Sequence, residues 1–125
     1  MAGILVVDDS LSIRQSLKLI LEGESHNVLE AENGEEGLRI LRRHKNDIDL
    51  VMVDVHMPVM NGLSMIKEIN CDPSGRYPKI PILVITTEDD KSLQELAKLS
   101  GIKGWCLKPV SGEQIKYVLG KVLES

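Results

Sequence analysis

Residues 4–23 read ILVVDDSLSIRQSLKLILEG. Four apolar residues, Ile4 to Val7, run straight into two adjacent carboxylates, Asp8 and Asp9, and then into a helical pattern over 11–22 that stops near Gly23. A short β-branched run of this kind reads as a buried strand, and carboxylates are rarely buried without partners. Ser10, or Asp9 itself, could cap the helix whose apolar face is Ile13, Leu17, Ile20 and Leu21, and acidic groups suit the positive end of its dipole. A metal or phosphate site at the strand end explains the same pair equally well. The choice depends on what the other strand ends carry.

Working outward, strand-like runs recur at 28–31, which is the weakest, and at 50–54, 82–86 and 104–107. Helical patterns lie between them. One covers 35–44 after the Asn33-Gly34 turn and carries Leu38 and Leu41 inward; others cover 62–70 and 90–99, the latter with Leu93, Leu96 and Ala97 on one face and an end at Gly101. The last begins with Ser111 and Gln114 at capping-box spacing and continues with Ile115, Val118, Leu119 and Val122. Strands alternating with helices predict an α/β fold, a parallel sheet covered by helices on both faces. The segment CDPSGRYPK at 71–79 reads as a loop inside one domain spanning 1–125, and Met1 suits a natural start.

Composition narrows the function. The 125 residues carry a net charge of −4, with no Lys/Arg block, so direct nucleic-acid binding is not expected. No apolar stretch approaches the roughly 20 residues that span a bilayer, and no secretory leader is evident, so the expectation is a cytoplasmic protein without membrane insertion. Cys71 and Cys106 lack metal-type spacing and read as reduced packing thiols. With no Phe and one Trp, the core must be aliphatic.

In open parallel sheets, ligands bind beyond the carboxyl ends of the strands. Those ends read Asp8-Asp9, Asp54, Thr86 and Lys108, each polar after an apolar run. Carboxylates gathered in one pocket repel by about 4 kcal/mol per close pair at an effective dielectric of 20. A cation must compensate, and an all-oxygen donor set with open positions suits Mg²⁺. Lys108 adds a second positive charge and Thr86 a hydroxyl, which together make a site for a phosphoryl group on one carboxylate.

At these residues the sequence resembles the receiver domain of two-component response regulators, of the single-domain chemotaxis-like type. The pieces that carry the resemblance are LVVDDS, ENGEEGL, VMVDVHMPVMNG, IPILVITT and KGWCLKP, in order across the chain. The resemblance implies a flavodoxin-like five-stranded sheet of order 2-1-3-4-5. It implies that Asp54 is the phospho-acceptor, that Asp9 binds Mg²⁺ directly and Asp8 mostly through water, and that the backbone carbonyl of His56 completes the protein ligands. Lys108 would hold one phosphoryl oxygen and Thr86 another, Thr86 acting as the switch. Lys108-Pro109 would be cis, and Pro58 and Gly62 would shape the loop after the third strand. The donor would be a sensor histidine kinase or histidine phosphotransfer protein. The output would be a change in the surface of the fourth helix, fifth strand and fifth helix, read by a downstream protein.

Several positions depart from the family pattern. Thr87 stands where Ala, Gly or Ser is usual and would restrict access of donors and water. Trp105 fills the switch-aromatic position, usually Tyr or Phe, and its indole N–H needs an acceptor if the ring turns inward. His56 and Glu88 occupy the variable positions flanking the acceptor, either paired across its mouth or solvated; His26 and His44 read as solvated. Gly37, inside a helical pattern, predicts a soft second helix. Two other functions compete. A haloacid-dehalogenase-like aspartyl-phosphate hydrolase would want an acid two residues after its nucleophile, where this chain has His56. A pseudo-receiver binding a partner without phosphorylation would not need Asp8, Asp9, Asp54, Thr86 and Lys108 together.

Overall fold

The computed structural model describes residues 2–75, 77, 80–99 and 101–123. The elements alternate as β1 (Gly3–Val7), α1 (Leu11–Gly23), β2 (Asn27–Ala31), α2 (Gly34–Arg43), β3 (Leu50–Val53), α3 (Gly62–Cys71), β4 (Ile82–Thr86), α4 (Lys91–Leu99), β5 (Gly104–Leu107) and α5 (Gly112–Leu123). All strand pairs are parallel, and the sheet order is β2-β1-β3-β4-β5. Parallel neighbours need crossovers, which the helices supply.

The two-residue period of each strand divides the core. Leu5 and Val7 of β1, Val51 and Val53 of β3, and Ile82 and Val84 of β4 face α2 and α3, which contribute Leu38, Leu41, Met65, Ile66 and Ile69. The alternate residues Ile4, Val6, Leu50, Met52, Leu83 and Ile85 face α1 and α5, which contribute Leu17, Leu21, Ile115 and Leu119. Each fully buried aliphatic side chain contributes roughly 1.5–3 kcal/mol.

Helix starts follow the capping chemistry. Ser10, not Asp9, caps α1, its Oγ accepting from the Ile13 N–H at 3.3 Å. Asn33 and Asn61 cap α2 and α3, accepting from Glu36 and Ser64, each at 2.9 Å. Ser111 Oγ accepts from the Gln114 N–H at 3.1 Å. Asp90 stays outside α4 and accepts from the Ser92 N–H at 2.8 Å.

Three expectations need correction. Leu96 is 57% exposed, because the inward face of the short α4 follows Ala97 and only that residue is fully buried. Cys71, at the last position of α3, is exposed, while Cys106 is buried and its thiol is pushed up by that burial. Gly37 marks close packing instead of softness: a Cβ there would lie 2.8 Å from Met65 Cε and 3.1 Å from Val7 Cγ2. In the 71–79 loop, residues 76, 78 and 79 lie outside the described residues, and Tyr77 is buried with its hydroxyl accepting from Arg42 Nη1 at 2.8 Å.

Candidate phosphoryl and metal site

The polar residues that end the apolar runs do converge. Asp8 lies one residue beyond β1, and its N–H donates to Ala31 O at 3.0 Å. Asp54 lies one residue beyond β3, its N–H donating to Val7 O at 3.0 Å, and the Lys108 N–H donates to Thr86 O at 2.8 Å. Each main chain is thus anchored to a neighbouring strand at the moment its side chain leaves the sheet. β1 and β3 are adjacent, so the carboxylates of Asp8, Asp9 and Asp54 offer oxygens that all lie within 4.8 Å of one another.

Lys108 closes the cluster. Its Nζ donates to Asp8 Oδ2 at 2.6 Å and to Asp54 Oδ2 at 2.9 Å, and the side chain is only 12% exposed. The Lys108-Pro109 bond is cis, as the resemblance implied. Burial pushes the Asp8 carboxyl above its ordinary range, and the bonds from Lys108 and the Ser10 N–H offset only part of that. Burial also disfavours the Lys108 cation, but the hydrogen bonds and charges of Asp8 and Asp54 outweigh it, and its pKa lies above the ordinary lysine value. Asp9 stays exposed. The donor set is entirely oxygen, holds more negative charge than Lys108 neutralises, and leaves one carboxylate open to solvent. Those are the properties of a site for a hard divalent cation.

The loop after β3 is held tightly against the acceptor strand. A Cβ on Gly62 would collide with the main-chain carbonyl oxygen of Asp54, and the Gly62 N–H donates to Val55 O at 2.9 Å. Val59 in that loop is 75% exposed and has φ 67°, a left-handed conformation costly for a β-branched residue. On the far side, the fully buried Thr86 accepts through Oγ1 from the Glu88 N–H at 3.2 Å. His56 and Glu88 are paired: His56 Nε2 is 2.8 Å from Glu88 Oε2. The other Glu88 oxygen accepts from the Asp90 N–H at 3.1 Å. The Trp105 indole N–H donates to Glu88 O at 2.9 Å, which supplies the acceptor the half-buried ring needs. Thr87 is exposed beside this cluster.

Glu88 therefore joins the loop after β3, the hydroxyl of Thr86, the start of α4 and the aromatic of β5, a connection that no local pattern of its own announces. Arg14 is a residue without a signal in the motifs. Its Nη1 donates to the main-chain carbonyl of Asp8 at 2.6 Å.

Known proteins resemble this chain along nearly its whole length. Residues 4–119 match the family model of the response regulator receiver domain. The chain is 34% identical to Protein PilH of Pseudomonas aeruginosa over 123 residues, 98% of each chain. It is 35% identical to a chemotaxis protein CheY homolog of Campylobacter jejuni over 121 residues, 96% of this chain and 91% of that one. Among solved structures it is similar to the chemotaxis protein CheY4 of Vibrio cholerae, with TM-score 0.85, 34% identity and 98% of each chain covered. A family model that spans nearly the whole sequence and relatives of like length above 30% identity leave one conclusion: this chain belongs to the response regulator receiver domain family, the signalling domain of two-component and chemotaxis systems.

Proposed function

We propose that this chain is a cytoplasmic receiver, one domain over residues 1–125, that accepts a phosphoryl group on Asp54 from a sensor histidine kinase or histidine phosphotransfer protein and passes the signal to a downstream protein, whether it acts alone or within a longer regulator. The observation that carries this reading is the placement of Lys108 Nζ between Asp8 and Asp54 within a cluster of three carboxylates.

Asp54 is the acceptor that the resemblance implies, and its carboxylate, like that of Asp8, is held on both sides. One oxygen is bonded to Lys108 and the other accepts from the His56 N–H at 3.3 Å, so the group is oriented before a donor arrives. A carboxylate oxygen of Asp54 forms the new bond to phosphorus while the bond from phosphorus to the donor nitrogen, or to the acyl oxygen of a small donor, breaks and the electron pair leaves with the donor. Lys108 meets the negative charge that develops on a phosphoryl oxygen. Asp8, Asp9, Asp54 and the His56 carbonyl would hold Mg²⁺, with Asp9 as the direct ligand and Asp8 acting mostly through water. Bound there, Mg²⁺ supplies charge neutralisation for the transferring group.

The acyl phosphate then offers new oxygens to the Thr86 hydroxyl. The hydroxyl can donate to them while it still accepts from the Glu88 N–H, so movement of Thr86 toward the phosphoryl group draws on Glu88, whose O holds the Trp105 ring. The phosphoryl state is thereby read out on the surface of α4, β5 and α5. The His56–Glu88 pair and Thr87 border the path of water to Asp54 and set how long the phosphoryl group lasts. Chemistry of this kind is acceptance and slow self-hydrolysis, not turnover of a substrate. Incubation with Mg²⁺ and acetyl phosphate should add one phosphoryl group to the intact mass, and Asp54→Asn should abolish it. Robust labelling of the Asn variant would reject the assignment.

A further inference from the structure

Arg14 occupies a place that the helix dipole disfavours. It is the fourth residue of α1, close to the positive end, and the first turn contains no acidic residue. Its side chain is nonetheless only 13% exposed and is committed on two sides. Nη1 donates to Asp8 O at 2.6 Å, and Nε donates to Glu30 Oε1 at 3.2 Å. Glu30 lies on β2 opposite Val6 in the strand register, with Lys18 Nζ 3.7 Å from its other oxygen. The guanidinium therefore ties the β1–α1 loop to the edge strand.

The Asp8 carbonyl shares its peptide plane with the nitrogen of Asp9. That plane is held at its oxygen by Arg14, while the Asp8 N–H is held by Ala31 O and the Asp8 carboxylate by Ser10 and Lys108. The Asp9 side chain is exposed, so its direction is fixed by its backbone and not by packing. We infer that Arg14 is a positioning residue that orients the Asp8-Asp9 peptide and so sets the affinity of the site for a divalent cation. This rests on the metal reading proposed above. The planar fork matters as much as the charge, since a lysine ammonium on its flexible stem does not satisfy the carbonyl and the carboxylate in one fixed geometry.

Charge and positioning predict opposite signs. A guanidinium beside a carboxylate cluster repels a dication, so its removal on electrostatic grounds alone tightens binding. Loss of the clamp weakens it, and partners that orient metal ligands are typically worth roughly ten- to a hundredfold in affinity. Mg²⁺ is titrated calorimetrically into the unphosphorylated full chain, unsubstituted and as Arg14→Lys and Arg14→Gln, with the near-ultraviolet signal of Trp105 as a check on the fold. Both variants are expected to bind Mg²⁺ about ten- to a hundredfold more weakly. The Mg²⁺ concentration for half-maximal labelling by acetyl phosphate should rise by the same factor, while the rate at saturating Mg²⁺ stays within about twofold. Arg14→Lys, which keeps the charge, decides the matter if Arg14→Gln does not fold. Binding by Arg14→Lys as tight as, or tighter than, that of the unsubstituted chain overturns the inference alone. Absence of Mg²⁺ binding by the unsubstituted chain overturns the metal reading, and this inference with it.

Discussion

Replacing Lys108 by Gln removes the cation that lies within hydrogen-bond distance of both Asp8 and Asp54. Breaking a buried ionic group by removing one partner typically costs about 3–5 kcal/mol. Uptake of a proton limits the loss. Protonating a carboxylate of ordinary pKa at pH 7 costs about 4 kcal/mol, at roughly 1.4 kcal/mol per pH unit. Asp8 starts above that ordinary range because burial disfavours its charge, so its limit is lower. The expected loss at pH 7 in metal-free buffer is therefore below about 4 kcal/mol. Without Lys108 the Asp8 carboxyl moves further up, and the folded chain keeps a proton that the unfolded chain releases. Stability of the variant is then greatest at low pH and declines as pH rises through the window above the ordinary Asp range. Urea unfolding of both proteins with EDTA, from about pH 8 down to about pH 5, should show the gap between them narrowing as pH falls. A gap of constant size across that range would refute the idea that Asp8 and Asp54 compete for one positive charge. In the unsubstituted protein the raised pKa of Lys108 has the same sign in a more alkaline window: its stabilisation is fully present below the ordinary lysine pKa and is lost as pH rises through the folded value.

For Gly37→Ala, overpacking against Met65 and Val7 costs about 1–3 kcal/mol and the better helix propensity of alanine offsets about 1, so stability should fall by up to about 2 kcal/mol; a rise in the denaturation midpoint would contradict the packing role. Val59→Gly relieves a left-handed β-branched residue worth roughly 1–2 kcal/mol and adds chain entropy worth roughly 0.5–1, so thermal melting should show a small net gain. Thr87→Ala should speed labelling by acetyl phosphate and shorten the phosphoryl lifetime, and unchanged rates would show that this exposed side chain does not border the path. Mg²⁺ with beryllofluoride should shift the fluorescence of Trp105, with Thr86→Ala blunting the shift; an unaltered spectrum with binding confirmed would mean that the ring is fixed.

Much of this was legible in the chain because strand periodicity is local. Leu5 and Val7 fall on one face and Ile4 and Val6 on the other simply because their side chains alternate, and the residue after each run must then emerge at the sheet's carboxyl edge. Asp8, Asp54, Thr86 and Lys108 are found together for that reason. What stayed hidden depends on distant neighbours. Gly37 looks like a helix weakness until Met65 is placed against it, and Leu96 looks buried until α4 is seen to bury only Ala97 fully. The Trp105 indole bond to Glu88 O joins residues 17 apart in sequence. The Arg14 bond to Asp8 ends on a main-chain oxygen, and no residue identity encodes that.

Glu88 gives its N–H to Thr86 and its C=O to Trp105, so two bonds on opposite sides of one α-carbon are separated by only two torsion angles. Such a short linkage obeys reciprocity. If occupancy at Asp54 alters the hold on Trp105, then a protein that grips the Trp105 ring in its altered position must favour the phosphorylated state by the same free energy. The receiver would thus be sensitive to its own audience: an abundant target would draw the exchange with the donor toward the phosphorylated chain, and a scarce one would leave it where the donor sets it.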